Sequence, residues 1–288
     1  MADQPVPSRI ALTGLAIVSR AFRLLGPFRR DLANAIGLVW YLRQTATVRS
    51  RAAANHRRAN PSLSTRDARA LARRSFLEYV AMILDSIAAE GAPARTVRRR
   101  LHIRGVERLF ADGGAVLALP HFGNWDVSAT GALAEGLRVT TVMGPVVTPF
   151  FTTLVAWSRR RKGLELYTPE RAARGLLRAL REGKLVALMA DVPEAGPTVE
   201  VPYCGGPVLF SAVPARLAQA TERPLLPMAC WRAGTGWVID VGEPVLIARG
   251  DSEAEIMSRV AKTLERHVLG HPEQWYPFHQ VYVDDVAA

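Results

Sequence analysis

Ala115-Val116-Leu117-Ala118-Leu119-Pro120-His121-Phe122-Gly123-Asn124-Trp125-Asp126 is the stretch whose reading decides the fold. Its first five residues form a short, uninterrupted apolar run, the pattern of a strand buried on both faces. Pro120 lacks a backbone donor and closes that strand. Val127 to Leu137, rich in Ala and Leu, reads as a helix. A strand that turns directly into a helix is the unit of an open α/β sheet. Such sheets gather reacting groups in the crevice beyond the carboxyl ends of their strands, beside helix N-terminal amides. His121 stands at that lip.

Spacing alone does not single His121 out. Of the six histidines, three have an acid five residues on: His121 with Asp126, His102 with Glu107 and His279 with Asp284. Five residues rotate a helical side chain roughly 140° away from its partner, and in a strand an odd offset puts it on the opposite face. Only a chain reversal brings such a pair together, and Gly123-Asn124 supplies the permissive residues for one. Arg104-Gly105 is a weaker link in the second pair, and Gln280-Val281-Tyr282-Val283 reads as plain strand in the third. The strand, the proline and the turn together make His121 and Asp126 the candidate catalytic residues.

Working outward, the alternation of an α/β domain continues. Strands are predicted at 115–119, 139–142, 164–167, 185–189, 225–231 and 237–241, and helices at 127–137, 149–160, 169–182, 213–222 and 252–269. Upstream, Asn60-Pro61 breaks the chain, and Ser64-Thr65-Arg66-Asp67 caps a helix whose apolar stripe runs through Leu71, Phe76, Val80, Ile83, Leu84 and Ile87. The basic run Arg95 to Arg104 reads as a solvated edge. No dinucleotide fingerprint, phosphate-binding loop or nucleophile elbow is present. The expected fold is a single α/β domain with a mostly parallel central sheet flanked by helices.

The 288 residues carry 37 Lys and Arg against 26 Asp and Glu, a net charge of +11. Such a balance favours an anionic partner: nucleic acid, a phosphorylated substrate or an acidic membrane leaflet. Cys204 and Cys230 have neither metal-ligand spacing nor a disulfide framework, and read as reduced thiols of a cytosolic protein. Residues 1–50 read differently from the rest. Ile10 to Ser19 is apolar between Arg9 and Arg20, and Leu32 to Leu42 is apolar with Trp40 and Tyr41. Neither run spans roughly 30 Å of hydrocarbon as a helix. The start, Met1-Ala2-Asp3-Gln4, lacks the basic region of a signal peptide. The expectation is a membrane-associating helical segment over 1–50, followed by the catalytic domain over 51–288.

With these elements placed, Leu119 to Asp126 resembles the His-x4-Asp block of the lysophospholipid acyltransferase superfamily, in the branch of the lipid A lauroyl and myristoyl acyltransferases and the phosphatidylinositol mannoside acyltransferases. Further motifs resemble that branch in order: Asn55 to Pro61, Ala72 to Phe76, Arg159 to Gly163, Leu185 to Asp191, Val199 to Gly205 through Pro214 to Ala218, and His271 to Trp275. Thr141 to Pro145 departs from it in lacking charged residues for a headgroup, so the acceptor stays open. The resemblance implies transfer of a fatty acyl group from acyl-CoA or acyl carrier protein to a hydroxyl of a lipid or glycolipid acceptor, with no further cofactor or metal. It implies His121 as general base and Asp126 as the carboxylate that orients its ring. Asp191 or Glu200 would complete the acidic environment or hold the acceptor. Arg159 would bind carrier phosphate or polarise the thioester, and Asn124 or loop amides would meet an oxyanion. The expected location is peripheral, at the cytoplasmic face of a membrane. Rival readings are a peripheral membrane-binding protein with a vestigial or hydrolytic histidine and, on charge alone, a nucleic-acid binder.

Overall fold

The computed structural model describes residues 6–110, 113–193 and 195–284. The N-terminal tetrapeptide read against a signal peptide lies outside them. In chain order come helices α1 (Arg9–Leu24), α2 (Phe28–Arg43), α3 (Ala46–Ala59), α4 (Thr65–Glu90) and α5 (Ala94–Arg98). The α/β part follows with β1 (Leu101–Arg104), β2 (Val116–Leu119), α6 (Trp125–Ala134), β3 (Val139–Val142), α7 (Pro149–Arg161), β4 (Glu165–Tyr167), α8 (Ala172–Arg181) and β5 (Leu185–Met189). It ends with β6 (Thr198–Tyr203), β7 (Gly206–Ser211), α9 (Val213–Thr221), β8 (Leu225–Ala233), β9 (Gly236–Val241) and α10 (Glu253–Gly270).

Seven strands form one sheet in the order β1-β9-β8-β2-β5-β3-β4, parallel throughout except for the β8–β9 pair. β2 lies in the middle and is buried along its length. Its side chains feed two cores. Val116 and Ala118 join Leu176, Leu180, Ile256, Val260 and Leu264 of α8 and α10, while Leu117 and Leu119 join Val97 and Val127 on the opposite face. That two-sided burial is why the strand reads as a continuous apolar run rather than an alternating one. The predicted α/β fold with a mostly parallel, helix-flanked sheet is the fold observed.

Two parts differ from the sequence reading. The basic run at 95–104 contains α5 and the edge strand β1, whose Leu101 is buried while His102 and Arg104 face outward. The motif around Pro202, outside the predicted strands, is strand β6, paired with β7 in a separate two-stranded ribbon in which Pro202 sits opposite Pro207. A two-stranded ribbon has only edges, so its prolines forfeit no central ladder bond.

Helices α1 to α4 form a helical layer beside the sheet. Ser64 caps α4 by accepting from Asp67 N at 3.1 Å. Gly37 lets α2 approach α4, since a Cβ there would lie 2.7 Å from Leu77 Cα. Trp40 and Tyr41 are half-buried against the cluster around Phe76. Their rings pack edge-on against Phe76 at 4.6 and 5.4 Å, and Trp40 also meets Phe278 at 5.5 Å. The outward residues of α1 and α2 include the aliphatics Ile10, Ile17, Leu24, Val39 and Leu42, together with Phe28. Among the described residues no single helix is long and apolar enough to cross a membrane, and α1 and α2 meet at a bend of 114°. Helix α3 runs across residue 50.

Buried His56 on α3 bonds Ser75 Oγ through Nε2 at 2.9 Å, and burial lowers its pKa from 6.5 to about 4. A folded-state value below the unfolded one means stability that is full above pH 6.5 and lost as pH falls toward 4. Urea unfolding is expected to follow that slope, and His56→Gln, which cannot ionise, is expected to flatten it. Gly37→Ala is expected to cost about 1–3 kcal/mol in the same measurement, because the neighbour it strikes is backbone.

Candidate active site

Parallel register builds the site. β2 and β5 are neighbours paired Leu119↔Met189, and each chain continues two residues beyond its strand to His121 and Asp191. The same offset therefore sets His121 beside Asp191. His121 N donates to both carboxylate oxygens of Asp191, at 2.9 and 2.8 Å, and His121 Nδ1 lies 2.8 Å from Asp191 Oδ1. One buried carboxylate holds both the backbone and the ring of the same residue. The Asp191 side chain is 5% exposed and that of His121 30%, so the imidazole reaches the surface while its anchor does not.

The turn after His121 is fixed by tertiary partners. Phe122 N donates to Pro120 O at 2.8 Å, Gly123 N to Gln274 O at 2.8 Å and Asn124 N to Cys230 O at 3.0 Å. Gly123 adopts φ +60°, and a Cβ would stand 1.7 Å from Cys230 O. Phe122 also bridges Trp275, and Tyr276 Oη donates to Gly123 O at 3.0 Å. Gln274 accepts from Arg232 N at 2.7 Å. Arg232 pairs with Asp85 of α4, to which Arg29 of α2 donates from Nε at 3.0 Å. An ion cluster thus links the N-terminal helices to β8, the strand beside the turn.

The expected residues divide accordingly. Asp191 is the carboxylate that meets the ring of His121 at Nδ1. Asp126 lies in the first turn of α6, where Arg159 Nε and Nη2 of α7 both reach its Oδ1 at 2.9 Å. Five residues bridge a turn and the start of a helix, and the carboxylate meets α7 at that point. Asn124 is a helix cap: its buried carboxamide accepts from Val127 N at 3.0 Å and Ser86 Oγ at 3.2 Å, and donates to Met82 O at 3.3 Å. The amides of Phe122, Gly123 and Asn124 are spent on carbonyls, so neither they nor the Asn124 side chain is placed as an oxyanion donor. Glu200 is exposed on the outer face of β6, whose Val201 and Tyr203 point inward. Of the two acids weighed as third member, Asp191 is the one joined to His121.

His279, dismissed by spacing, stands at the rim. Its pKa is lowered by loss of solvent, opposed by Asp191 and reinforced by His121 and Arg51. The chain alone offered no signal for that proximity. Asp85 and Glu78 did leave one, as acids embedded in the helix whose stripe holds Phe76, Val80 and Leu84. Trp125 contacts the His121 ring edge-on at 5.4 Å. Burial pushes the Cys230 thiol up to about 12 and raises that of Cys204, so neither is a nucleophile at neutral pH.

A parallel α/β sheet with a carboxylate-held histidine beyond its central strand is an architecture suited to acid–base transfer chemistry. The chain belongs to the bacterial lipid A biosynthesis acyltransferase family, whose pattern matches residues 7–283. It is 31% identical over 183 residues to a phosphatidylinositol mannoside acyltransferase of Mycobacterium tuberculosis, covering 62% of this chain and 58% of that protein. It is 28% identical over 183 residues to the protein of that name from Mycolicibacterium smegmatis, covering 62% of this chain and 60% of that one. The match thus spans about three fifths of the length of these relatives. A crystal structure of the 1-acyl-sn-glycerophosphate acyltransferase PlsC from Thermotoga maritima superimposes with TM-score 0.42 at 13% identity, over 90% of this chain and 97% of that one.

Gly123→Ala is expected to displace the turn and lower kcat/KM by about 100-fold, the scale of a 1 Å misplacement, with the far-UV circular dichroism unchanged.

Proposed function

We propose that the protein is an O-acyltransferase that moves a fatty acyl group from a thioester, acyl-CoA or acyl carrier protein, to a hydroxyl of a lipid acceptor, with a phosphatidylinositol mannoside or similar glycolipid as the acceptor class. The observation that carries this reading is the grip of Asp191 on His121. With the carboxylate accepting from Nδ1, Nε2 is the basic nitrogen of the ring. An alcohol attacks a thioester poorly unless its proton leaves as the new bond forms. His121 Nε2 takes that proton while the acceptor oxygen bonds to the acyl carbon. Asp191 stabilises the imidazolium. When the tetrahedral adduct collapses, the carbon–sulfur bond breaks and the imidazolium returns the proton to the thiolate, so no covalent enzyme intermediate is needed.

Arg159, oriented by Asp126, polarises the thioester oxygen or holds a donor phosphate. The preference for Arg159 follows from the turn amides being committed elsewhere. His279 at the rim contributes to holding the acceptor. The exposed aliphatic faces of α1 and α2 and the net charge of +11 support peripheral contact with an anionic leaflet. Acyl thioesters are made in the cytosol, so the cytoplasmic face is the side proposed.

The test is transfer of labelled acyl groups from acyl-CoA and from acyl carrier protein into a lipid extract. His121→Ala is expected to lose roughly 10²–10⁴-fold in rate, and Asp191→Asn a comparable factor through the wrong tautomer. Unchanged transfer by His121→Ala would overturn the base assignment. Absence of transfer by the wild type with both donors, alongside intact vesicle binding, would favour a peripheral membrane-binding protein.

A further inference from the structure

Residues 143–163 form a one-sided segment of the chain. They read Met-Gly-Pro-Val-Val-Thr-Pro-Phe-Phe-Thr-Thr-Leu-Val-Ala-Trp-Ser-Arg-Arg-Arg-Lys-Gly, with no Asp or Glu and four consecutive cations at the end. No residue of α7 is fully buried, whereas α10 buries Ile256, Met257, Val260, Ala261, Leu264 and Val268. The C-terminal end of α7 is nonetheless anchored: Arg159 holds Asp126, while Ser158 and Lys162 hold Glu90.

Its other end projects. Val147 is 91% exposed, Phe150 56% and Phe151 48%, and the two phenyl rings stack edge-on at 5.5 Å. The projection is built rather than frayed. Thr152 Oγ1 accepts from Val146 N at 2.8 Å and donates to Val146 O at 3.1 Å, and Thr148 caps the helix by accepting from Phe151 N at 3.4 Å. Val147 sits at φ +43°, a conformation that costs a β-branched residue energy. Strain and wetted aromatics held in place by specific bonds describe an element whose favourable contact lies outside the protein.

We propose that residues 146–151 insert into the interface of an anionic lipid bilayer, as a second contact separate from α1 and α2, with Arg160 and Arg161 lying against lipid phosphates. Among the described residues no carboxylate pairs with either arginine, and Arg161 stands over Trp157 at 5.2 Å. Apolar residues at a protruding tip, cations one helix length behind and no acid between them complement a bilayer, where the tip enters the acyl boundary and the cations remain at the headgroups. The same helix carries Arg159, nine residues from Phe150, or roughly 14 Å along its axis. Docking by the tip therefore holds the mouth of the His121 site against the lipid surface. This consequence for catalysis rests on the acyltransferase reading, but vesicle binding does not.

The experiment compares the full chain with Phe150→Ser/Phe151→Ser and Arg160→Glu/Arg161→Glu, and with Leu246→Ser as the control, since Leu246 is 80% exposed and lies outside this segment. The readouts are co-sedimentation with vesicles of mixed phosphatidylglycerol and phosphatidylcholine, and transfer to acceptor presented in vesicles or dispersed in detergent. The phenylalanine pair is expected to weaken partitioning by about tenfold with the control unchanged. The arginine pair is expected to abolish the preference for anionic over neutral vesicles. KM for vesicle-borne acceptor rises more than KM for dispersed acceptor. Wild-type partitioning by the phenylalanine variant overturns the proposal, as does an equal loss in the control. Phenylalanine-dependent binding to acyl carrier protein without any effect on vesicles overturns it in favour of a protein partner. Vesicle binding of the expected kind without acyl transfer leaves it standing and removes the catalytic reading instead.

Discussion

The hold of Asp191 on both the amide and the ring of His121 is the constraint on which the rest of the site depends. A buried carboxylate is costly unless its oxygens are satisfied, and here a backbone N–H and the Nδ1 position of one residue satisfy them together. The bond fixes the ring in rotation and in tautomer. It also stitches the end of β2 to the end of β5 beyond the last ladder pair. A displaced β5 would loosen the histidine, and a displaced histidine would leave Asp191 charged and alone. The setting of His121 and the closure of the sheet are therefore one interaction.

Around that bond the structure spends its polar groups on stiffness. The amides of residues 122–124 and the Asn124 carboxamide are all engaged by the protein. Gly123 survives at φ +60° because the carbonyl of Cys230 leaves no room for a side chain. Behind the turn, Gln274 and Arg232 pass its position to Asp85 and on to Arg29 of α2. Buried ion clusters of this sort give specificity of arrangement rather than large stability. Here the arrangement ties the helices with the most exposed aliphatic surface to the strand beside the turn after His121.

The exposed apolar surface follows a different logic. The aromatic residues that looked interfacial, Trp40 and Tyr41, are half-buried against Phe76, while aliphatic residues of α1 and α2 and the tip of α7 are exposed. Composition cannot separate these cases, since an aromatic beside an arginine serves either a core edge or an interface. Packing decides: Phe76 and Phe278 lie where Trp40 can reach them, whereas Phe150 is 56% exposed.

What the sequence by itself determined is the local and the periodic. The apolar run before Pro120, the strands at 139–142 and 185–189 and the helices at 149–160 and 213–222 recur within a residue or two in the structure, because each is set by neighbours along the chain. The ordered motifs also placed the chain in its family. Tertiary structure alone decided which acid serves His121. Asp126 is five residues away and belongs to Arg159, whereas Asp191 is 70 residues away and arrives through the parallel register of β2 and β5. It likewise made Asn124 a cap, left Glu200 facing outward and brought His279 to the rim. Parallel neighbours are joined by long crossovers, so their register is written in no local pattern.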